Sequence, residues 1–185
     1  AFYMQSALKR ASGGKVVFEK KGKDVEIDAD TVLLAVGRKP NTEGLGLETL
    51  GVALGKSGIV VGDNMQTNIP HIYAVGDVNG RQMLANAAEM QGKRAVNDIL
   101  GNTDDIRFDI MPAAIFTNPE AASVGKTEEQ LKAEGVDYIC QKHYYRANGK
   151  AVSMNETDGM LKLVADKDGF IVGCHVYGAH AADLV

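Results

Sequence analysis

The chain has 185 residues and a formal net charge of −4 at pH 7, with 45% hydrophobic and 24% charged residues. This composition is that of a folded globular protein and excludes wholesale disorder, and the mild negative charge argues against nucleic-acid and anionic-membrane partners. Glycine is enriched, at 21 residues, without any repeating period, so the glycines are expected at tight turns and at close approaches of the backbone to another group.

The apolar runs are too short to cross a bilayer. The longest of them, such as Val32–Gly37 and Phe170–Cys174, have the length of strands, and no basic segment followed by an apolar core marks a signal peptide. Cys140 and Cys174 lie far apart in sequence and form neither a CxxC pair nor a zinc-like spacing. They are interpreted as two buried thiols in a reducing compartment.

Residues 1–40 carry strand patterns. Val16–Phe18 and Val25–Ile27 flank a turn rich in Lys and Gly, which predicts a β-hairpin. Thr31–Gly37 is almost continuously apolar and predicts a strand covered on both faces, as in a parallel sheet. Gly37 then stands at the carboxyl end of this strand. On spacing alone, this glycine is equally well explained by a plain exit from the strand into a loop and by a ligand-binding role.

Residues 41–105 combine short strands with one long helix. Ile59–Val61 and Ile72–Val75 are strand candidates, and the second leads directly into Gly76 and Asp77. An Ala-rich helix is predicted over about 84–100. Its expected buried face consists of Leu84, Ala88, Ala95, Val96, Ile99 and Leu100.

The strand that ends in Gly76 and Asp77 is the strongest candidate binding site. In open α/β sheets, ligands bind just beyond the carboxyl ends of strands, where a glycine allows close approach. A carboxylate there accepts hydrogen bonds from sugar or polyol hydroxyls, and the nearby N-terminus of the helix offers free N–H groups. On spacing alone, however, a strand that ends in Gly-Asp is common, and a structural turn is the more frequent explanation.

Residues 106–185 predict an antiparallel α+β unit. Strands are expected at 113–117 and 123–125, and again at 138–145, 160–165 and 170–177. Thr127 and Gln130 form a capping-box pattern that begins a short helix ending at Gly135. The histidines are not spaced as metal ligands, so no metal site is predicted.

These segments together resemble the pyridine nucleotide–disulfide oxidoreductase family, and within it the dihydrolipoamide dehydrogenases. The resemblance runs from about residue 15 to the end of the chain, and several motifs match in order. They are Leu33–Asn41 (LLAVGRKPN), Glu43–Leu47 (EGLGL), Thr67–Asp77 (TNIPHIYAVGD), Met83–Ala85, Phe116–Glu120 (FTNPE), Ala122–Glu129 (ASVGKTEE), Ala147–Asn148 and Glu156–Gly159 (ETDG).

The resemblance implies a fold of α/β plus α+β class, with partial nucleotide-binding α/β segments followed by an antiparallel α+β dimer-interface domain. Residues 1–40 would end an NAD-binding domain, 41–105 would be the C-terminal part of an FAD-binding domain, and 106–185 would form an incomplete dimerisation domain. The implied cofactor-binding residues are Gly37 beside NAD, Asp77 on a ribityl hydroxyl of FAD, and Met83, Leu84, Ala85 and Asn86 at the flavin pyrimidine edge.

The implied activity is FAD-dependent transfer of electrons from dihydrolipoamide to NAD, in a homodimer that forms through residues 106–185 and acts on a lipoyl-bearing protein or small dithiol. The location would be cytoplasmic, or the mitochondrial matrix in a eukaryote. The family's glycine fingerprints, redox cysteines and catalytic His–Glu pair are not found here, so a fragment that is inactive alone is expected, and no catalytic residue is assigned. Asn86 replaces the family's usual His.

Two alternatives stay open. One is another disulfide reductase of the same family, acting on glutathione, a different thiol or a metal ion. The other is a non-catalytic module that only self-associates.

Overall fold

The computed structural model describes all 185 residues, which divide into two compact units, Ala1–Arg38 and Lys39–Val185. The first unit is a three-stranded antiparallel sheet in the order β1-β2-β3, formed by Ser6–Ser12, Lys15–Lys20 and Lys23–Asp28. The predicted hairpin is therefore confirmed as β2 and β3, with Lys20 opposite Lys23. Strand β1 was not predicted, because its sequence (SALKRAS) shows no run of β-branched residues.

The sheet of the first unit has a thin core. Phe18 is its one buried hydrophobic side chain, and the ring of Tyr3 packs against it at 4.7 Å between centroids. Charged side chains tie the strands together at the surface, since the Lys9 ammonium lies 2.9 Å from Glu19 and 2.6 Å from Asp24. Exposed ion pairs of this kind contribute little stability each.

The strand predicted at Thr31–Gly37 does not form. These residues carry no regular secondary structure, and Leu33 and Val36 are 89% and 76% exposed. A strand buried in a parallel sheet needs a hydrogen-bonded neighbour on each side, and in this structure no strand pairs with the segment. The prediction was wrong because an apolar run specifies burial only where a partner exists.

The second unit begins with small elements around an apolar cluster. Helix α1 spans Leu47–Leu50, and the short strands β4 (Leu54–Gly55) and β5 (Gly58–Ile59) pair with each other. The cluster is formed by Leu47, Val52, Ile59 and Ala74. The prediction of a strand at Ile72–Val75 was wrong. This segment is extended but makes only one isolated bridge, between Tyr73 and Gln66.

Helix α2 spans Ala85–Ile99, as the Ala-rich pattern predicted. It ends at Gly101, whose left-handed φ of 70° suits the position after a helix. Its buried face differs from the prediction, however. Ala87, Gln91 and Ala95 are the buried residues, and the predicted Val96, Ile99 and Leu100 are exposed. The true face is one of small residues interrupted by a glutamine.

The rest of the second unit is a five-stranded antiparallel sheet in the order β6-β7-β10-β9-β8. Its strands are Ala113–Ile115 (β6), Ala121–Gly125 (β7), Tyr138–Tyr144 (β8), Met160–Asp166 (β9) and Ile171–Tyr177 (β10). Helices α3 (Glu128–Glu134), α4 (Gly149–Ser153) and α5 (Ala181–Leu184) connect or follow these strands. The antiparallel α+β prediction for this region is confirmed.

Local signals explain much of this sheet. The side chains of Thr127 and Gln130 form the predicted capping box at the start of α3, and Gly135 closes the helix at φ 68°. The β9–β10 turn is held by the Asp166 carboxylate, which accepts from the N–H groups of Asp168 and Phe170. The hydrophobic cluster below the sheet contains Ala122, Val176 and Ala181.

Across the whole structure, no helix combines the length and the apolar character that crossing a membrane requires.

Candidate functional site

The candidate site is built around a single 3₁₀ turn, Gly76–Asn79, which follows the extended segment at residues 72–75. Gly76 has φ of 77°, in the left-handed region that side chains disfavour. A Cβ atom on Gly76 would also lie 3.4 Å from the Cβ of Ala88 on helix α2. Glycine is therefore favoured here by the backbone conformation, and the contact with Ala88 leaves little room for a side chain larger than a methyl group.

A buried side-chain amide holds this turn to helix α2. The Oε1 atom of Gln91 accepts two hydrogen bonds, from the backbone N–H of Gly76 and from the Nδ2 of Asn79, both at 2.8 Å. The same Asn79 nitrogen donates to the carbonyl of Ala74 at 3.0 Å, and the Asn79 Oδ1 accepts from the N–H of Arg81. Gln91 is 1% exposed, so water cannot replace these bonds.

The N-terminus of helix α2 is free of protein acceptors. Leu84 occupies the N-cap position and offers no side-chain acceptor, and the N–H groups of Ala85, Asn86 and Ala87 donate to no protein atom. Free N–H groups at a helix start carry the positive end of the helix dipole. This terminus can therefore bind an electron-rich group.

The predicted site residues lie in both units. Asp77 is exposed in the 3₁₀ turn, Met83 and Leu84 are half-buried before helix α2, and Ala85 and Asn86 are exposed in its first turn. Asn86 also donates from Nδ2 to the carbonyl of Pro112 at 2.8 Å. The structure thus joins five of the six predicted residues in one short stretch of the second unit.

Gly37, the sixth predicted residue, belongs to the first unit and lies in its irregular, exposed segment. Its φ of 96° is again in the region that favours glycine. A Cβ on Gly37 would meet no atom within 4 Å. The backbone of Gly37 is therefore accessible to a ligand.

A charged network holds the second half of helix α2. The Nε of Arg94 donates to both carboxylate oxygens of Asp104 at 2.8 and 2.9 Å, and its NH2 group donates to the carbonyl of Ile106. The hydrogen bonds that the Asp104 carboxylate accepts from Arg94 and Asn97 lower its pKa to about 2. The helix is thereby anchored to the loop that leads into the five-stranded sheet.

Sequence reasoning missed Gln91 and Asn79. A detectable signal exists for Gln91, because it stands four residues from both Ala87 and Ala95 on the small-residue face of a helix. A polar residue in the middle of such a face is expected to have a buried hydrogen-bonding partner. Asn79 lies before Gly80, in a dipeptide typical of turns, which conceals its role.

The two cysteines do not form a redox pair. Cys140 lies on β8 and Cys174 on β10, with β9 between these strands, and both are free thiols. Burial raises the pKa of each thiol, and for Cys140 the neighbouring Glu128 raises it further. Neither environment favours the reactive thiolate. No group of three or more His, Cys, Asp or Glu side chains is placed to hold a metal ion.

Two family models match the chain. The model described as "Pyridine nucleotide-disulphide oxidoreductase" covers residues 1–92, and the one described as "Pyridine nucleotide-disulphide oxidoreductase, dimerisation domain" covers residues 111–185. Only the end of helix α2 and the following loop lie outside both matches. The match at 111–185 corresponds to the five-stranded sheet.

Curated relatives agree with these matches. The chain is similar to the dihydrolipoyl dehydrogenase of Bacillus subtilis, with 46% identity over 178 residues, 95% of this chain and 38% of that protein. The dihydrolipoyl dehydrogenase of Geobacillus stearothermophilus is 42% identical over 98% of this chain and 39% of its own length. A mitochondrial dihydrolipoyl dehydrogenase of Arabidopsis thaliana is 42% identical over 89% of this chain and 33% of its own.

Solved structures share the fold. LpdA from Mycobacterium tuberculosis superposes with a TM-score of 0.78 at 32% identity, covering 96% of this chain and 39% of that one. The Cu(II) complex of the HOCl-induced flavoprotein disulfide reductase RclA from Escherichia coli gives a TM-score of 0.78 at 25% identity, covering 97% of this chain and 42% of that one.

The chain thus spans 38–39% of the length of the first two bacterial relatives. The matches confirm the resemblance and the mixed fold class predicted from the motifs. On the agreement of two family models, several relatives and a shared fold, the chain belongs to the pyridine nucleotide–disulfide oxidoreductase family.

Proposed function

We propose that this chain is part of an FAD-dependent dihydrolipoamide:NAD oxidoreductase, to which it contributes part of the flavin site and a dimer interface. The observation that carries the proposal is the uncapped N-terminus of helix α2, preceded in the same unit by the exposed Asp77 carboxylate. A group that carries hydroxyls and becomes electron-rich on reduction matches both features.

The residues present fit FAD. Asp77 forms no ion pair or side-chain hydrogen bond within the protein, so its carboxylate is free to accept from ribityl hydroxyls. Met83, Leu84, Ala85 and Asn86 would hold the pyrimidine edge, where the backbone N–H groups and the helix dipole stabilise negative charge. When bound, FAD supplies the electron transfer between a dithiol and NAD.

The division into functional regions follows the same proposal. Residues 1–40 are the end of the NAD-binding domain, with Gly37 approaching the dinucleotide, and 41–105 belong to the FAD-binding domain. Residues 106–185 form the dimerisation domain and would bring two copies of the protein together. A match to a dimerisation-domain model at residues 111–185 supports this last assignment.

The chemistry of the dithiol is assigned to residues beyond this chain. Cys140 and Cys174 are separated by a strand and have raised thiol pKa values, which does not suit a redox disulfide. We therefore propose that the redox cysteines and a catalytic His–Glu pair lie elsewhere in a longer protein. The 185-residue chain alone should show no activity towards dihydrolipoamide.

The proposed substrate is a dihydrolipoyl group on a carrier protein or a small dithiol, and the proposed location is the cytoplasm or the mitochondrial matrix. Names of the curated relatives support this substrate. A second candidate is a reductase for another disulfide. Asn86 favours this second candidate, because it replaces the histidine usual at this position in dihydrolipoamide dehydrogenases and its side chain is already bonded to Pro112.

One assay tests the proposal. The full-length protein is purified, its visible spectrum is recorded, and NAD reduction by dihydrolipoamide is compared with NAD(P)H oxidation by glutathione disulfide. We expect a flavin spectrum and turnover with dihydrolipoamide and NAD. A protein that binds no flavin would contradict the proposal, and a flavoprotein active only on another disulfide would replace it by the second candidate.

A further inference from the structure

Helix α2 and the turn that precedes it are joined by one buried atom. The Gln91 Oε1 atom accepts from Gly76 N–H at the start of the 3₁₀ turn and from Asn79 Nδ2 at its end. Gln91 lies near the middle of α2, whereas the candidate flavin residues lie at the beginning of that helix. The two bonds therefore close a ring of chain that contains both parts of the candidate site.

The other contacts of the turn hold it to elements other than α2: Val78 packs on the apolar cluster, and Asn79 Nδ2 also donates to the carbonyl of Ala74. Val75, which precedes the turn, offers no side-chain cap, and the N–H of Gly80 closes the turn only onto the carbonyl of Asp77 within it. An amide oxygen has two acceptor positions, and Gln91 uses both of them on the turn. Both donors are buried. Loss of the acceptor would leave the Gly76 N–H without a partner and Asn79 Nδ2 with only its bond to the Ala74 carbonyl.

The direction of Asp77 depends on this anchorage. Its carboxylate makes no contact of its own with the protein that could orient it, and the residue lies between the two groups that Gln91 holds. A side chain without partners follows the backbone that carries it. Movement of the turn would therefore move the carboxylate relative to the N-terminus of α2.

We infer that Gln91 is a positioning residue for the flavin cofactor, which fixes the Asp77 turn against the N-terminus of helix α2 without touching the cofactor itself. The inference rests on the proposed function, because it assumes that Asp77 and residues 83–86 bind FAD. It assigns to the middle of the helix a role that neither the motifs nor the site residues themselves indicate.

The test compares three variants of the full-length protein by flavin titration after removal of FAD. Gln91→Met keeps the size of the side chain but removes the acceptor, and we expect the dissociation constant for FAD to rise about tenfold. Gln91→Glu keeps an acceptor oxygen and should remain within about threefold of the parent protein. The matched control is Asn148→Leu.

Asn148 suits this control because its side-chain oxygen also accepts from two N–H groups, those of Lys150 and Ala151 at the start of α4. Asn148→Leu should lower the melting temperature and leave the FAD dissociation constant unchanged. If Gln91→Met binds FAD as tightly as the parent while melting earlier, Gln91 is purely structural and the inference is overturned.

Two further measurements keep the inference separate from the proposed function. If Gln91→Met does not fold, Asn79→Ser takes its place. It removes the bond to Gln91 Oε1 together with the one to the Ala74 carbonyl and should weaken FAD binding about threefold; unchanged binding would overturn the inference. If the parent itself binds no FAD, the proposed function fails. Hydrogen exchange of the Gly76 N–H is then compared in the flavin-free proteins. Faster exchange in Gln91→Met than in the parent would establish that Gln91 anchors the turn, and equal exchange would refute it.

Discussion

Two apolar segments of this chain, Val32–Gly37 and Ile72–Gly76, both end in a glycine with positive φ and have opposite environments. In the first, the side chains are exposed and the backbone pairs with no strand. In the second, Ile72 packs on an apolar cluster, Ala74 is buried, and the N–H groups of Ala74 and Gly76 donate to Met65 and Gln91.

The difference lies in the partners and not in the segments. Ile72–Gly76 is barely a strand, with one isolated bridge, but acceptors on a neighbouring loop and on helix α2 take up its backbone N–H groups. Buried backbone groups must be paired, so such acceptors permit burial where an apolar sequence alone does not. The apolar run at residues 32–37 has no such acceptors, and it stays exposed and irregular.

Hydrogen exchange should separate the two segments by the largest factor. The amides of Ala74 and Gly76 are hydrogen-bonded beside a core, so we expect their exchange to be slowed about a thousandfold or more. The amides of residues 32–37 should exchange at nearly the rate of an unstructured chain. The measurement is made by NMR or mass spectrometry. Comparable protection of both segments would show that their environments do not differ.

Valine substitutions at the two glycines should give the next largest difference. Gly76→Val places a branched side chain at φ 77° and against Ala88, and we expect it to lower the free energy of unfolding by about 3 kcal/mol. The matched variant Gly37→Val has the strain of φ 96° but meets no atom within 4 Å, and it should lower the free energy of unfolding by only about 1 kcal/mol. Urea denaturation measures both, and equal losses would refute the contrast.

Truncation of one apolar side chain in each segment should also destabilise the protein to different extents. Ile72 packs on the cluster of Leu47, Val52, Ile59 and Ala74, so Ile72→Ala should lower the free energy of unfolding by about 2 kcal/mol. Leu33 is almost fully exposed, and Leu33→Ala should cost less than about 0.5 kcal/mol. A substantial loss in Leu33→Ala would mean that residues 31–37 pack in solution.

The smallest effect concerns the acid response of helix α2, which carries the anchor of the second segment. The pKa of Asp104 is lowered from 3.8 to about 2, mainly by Arg94, so its stabilising contribution is present above about pH 4 and is lost as the pH falls to 2. Asp104→Asn should melt about 2–4 °C lower at pH 7.

The same variant should show a smaller difference from the parent at pH 2, where about half of the Asp104 carboxyl groups in the folded protein are protonated. Thermal melts at a series of pH values between 2 and 7 provide the measurement. A difference in melting temperature that stays constant across this range would show that the charge of Asp104 does not contribute.

Elements with strong local signals were predictable. The capping box at Thr127, the Asp166 turn and the Ala-rich stretch that forms α2 each carry their own hydrogen-bonding or helix-forming pattern, and the structure contains all three. Part of the candidate site was predictable, namely Gly76 and Asp77 followed by a helix. Gln91 was not, because its partners lie 12 and 15 positions away and only the packing of the turn brings them together.

The family, helix α2 and the antiparallel α+β character of residues 106–185 follow from the amino-acid sequence alone. Tertiary structure decided which apolar segments are buried, which face of α2 points inward, and how the turn is held to that helix. The physical reason is that local propensity and motif spacing act within a few residues. The burial of a backbone group or an amide depends instead on whether a distant partner is there to accept its hydrogen bond.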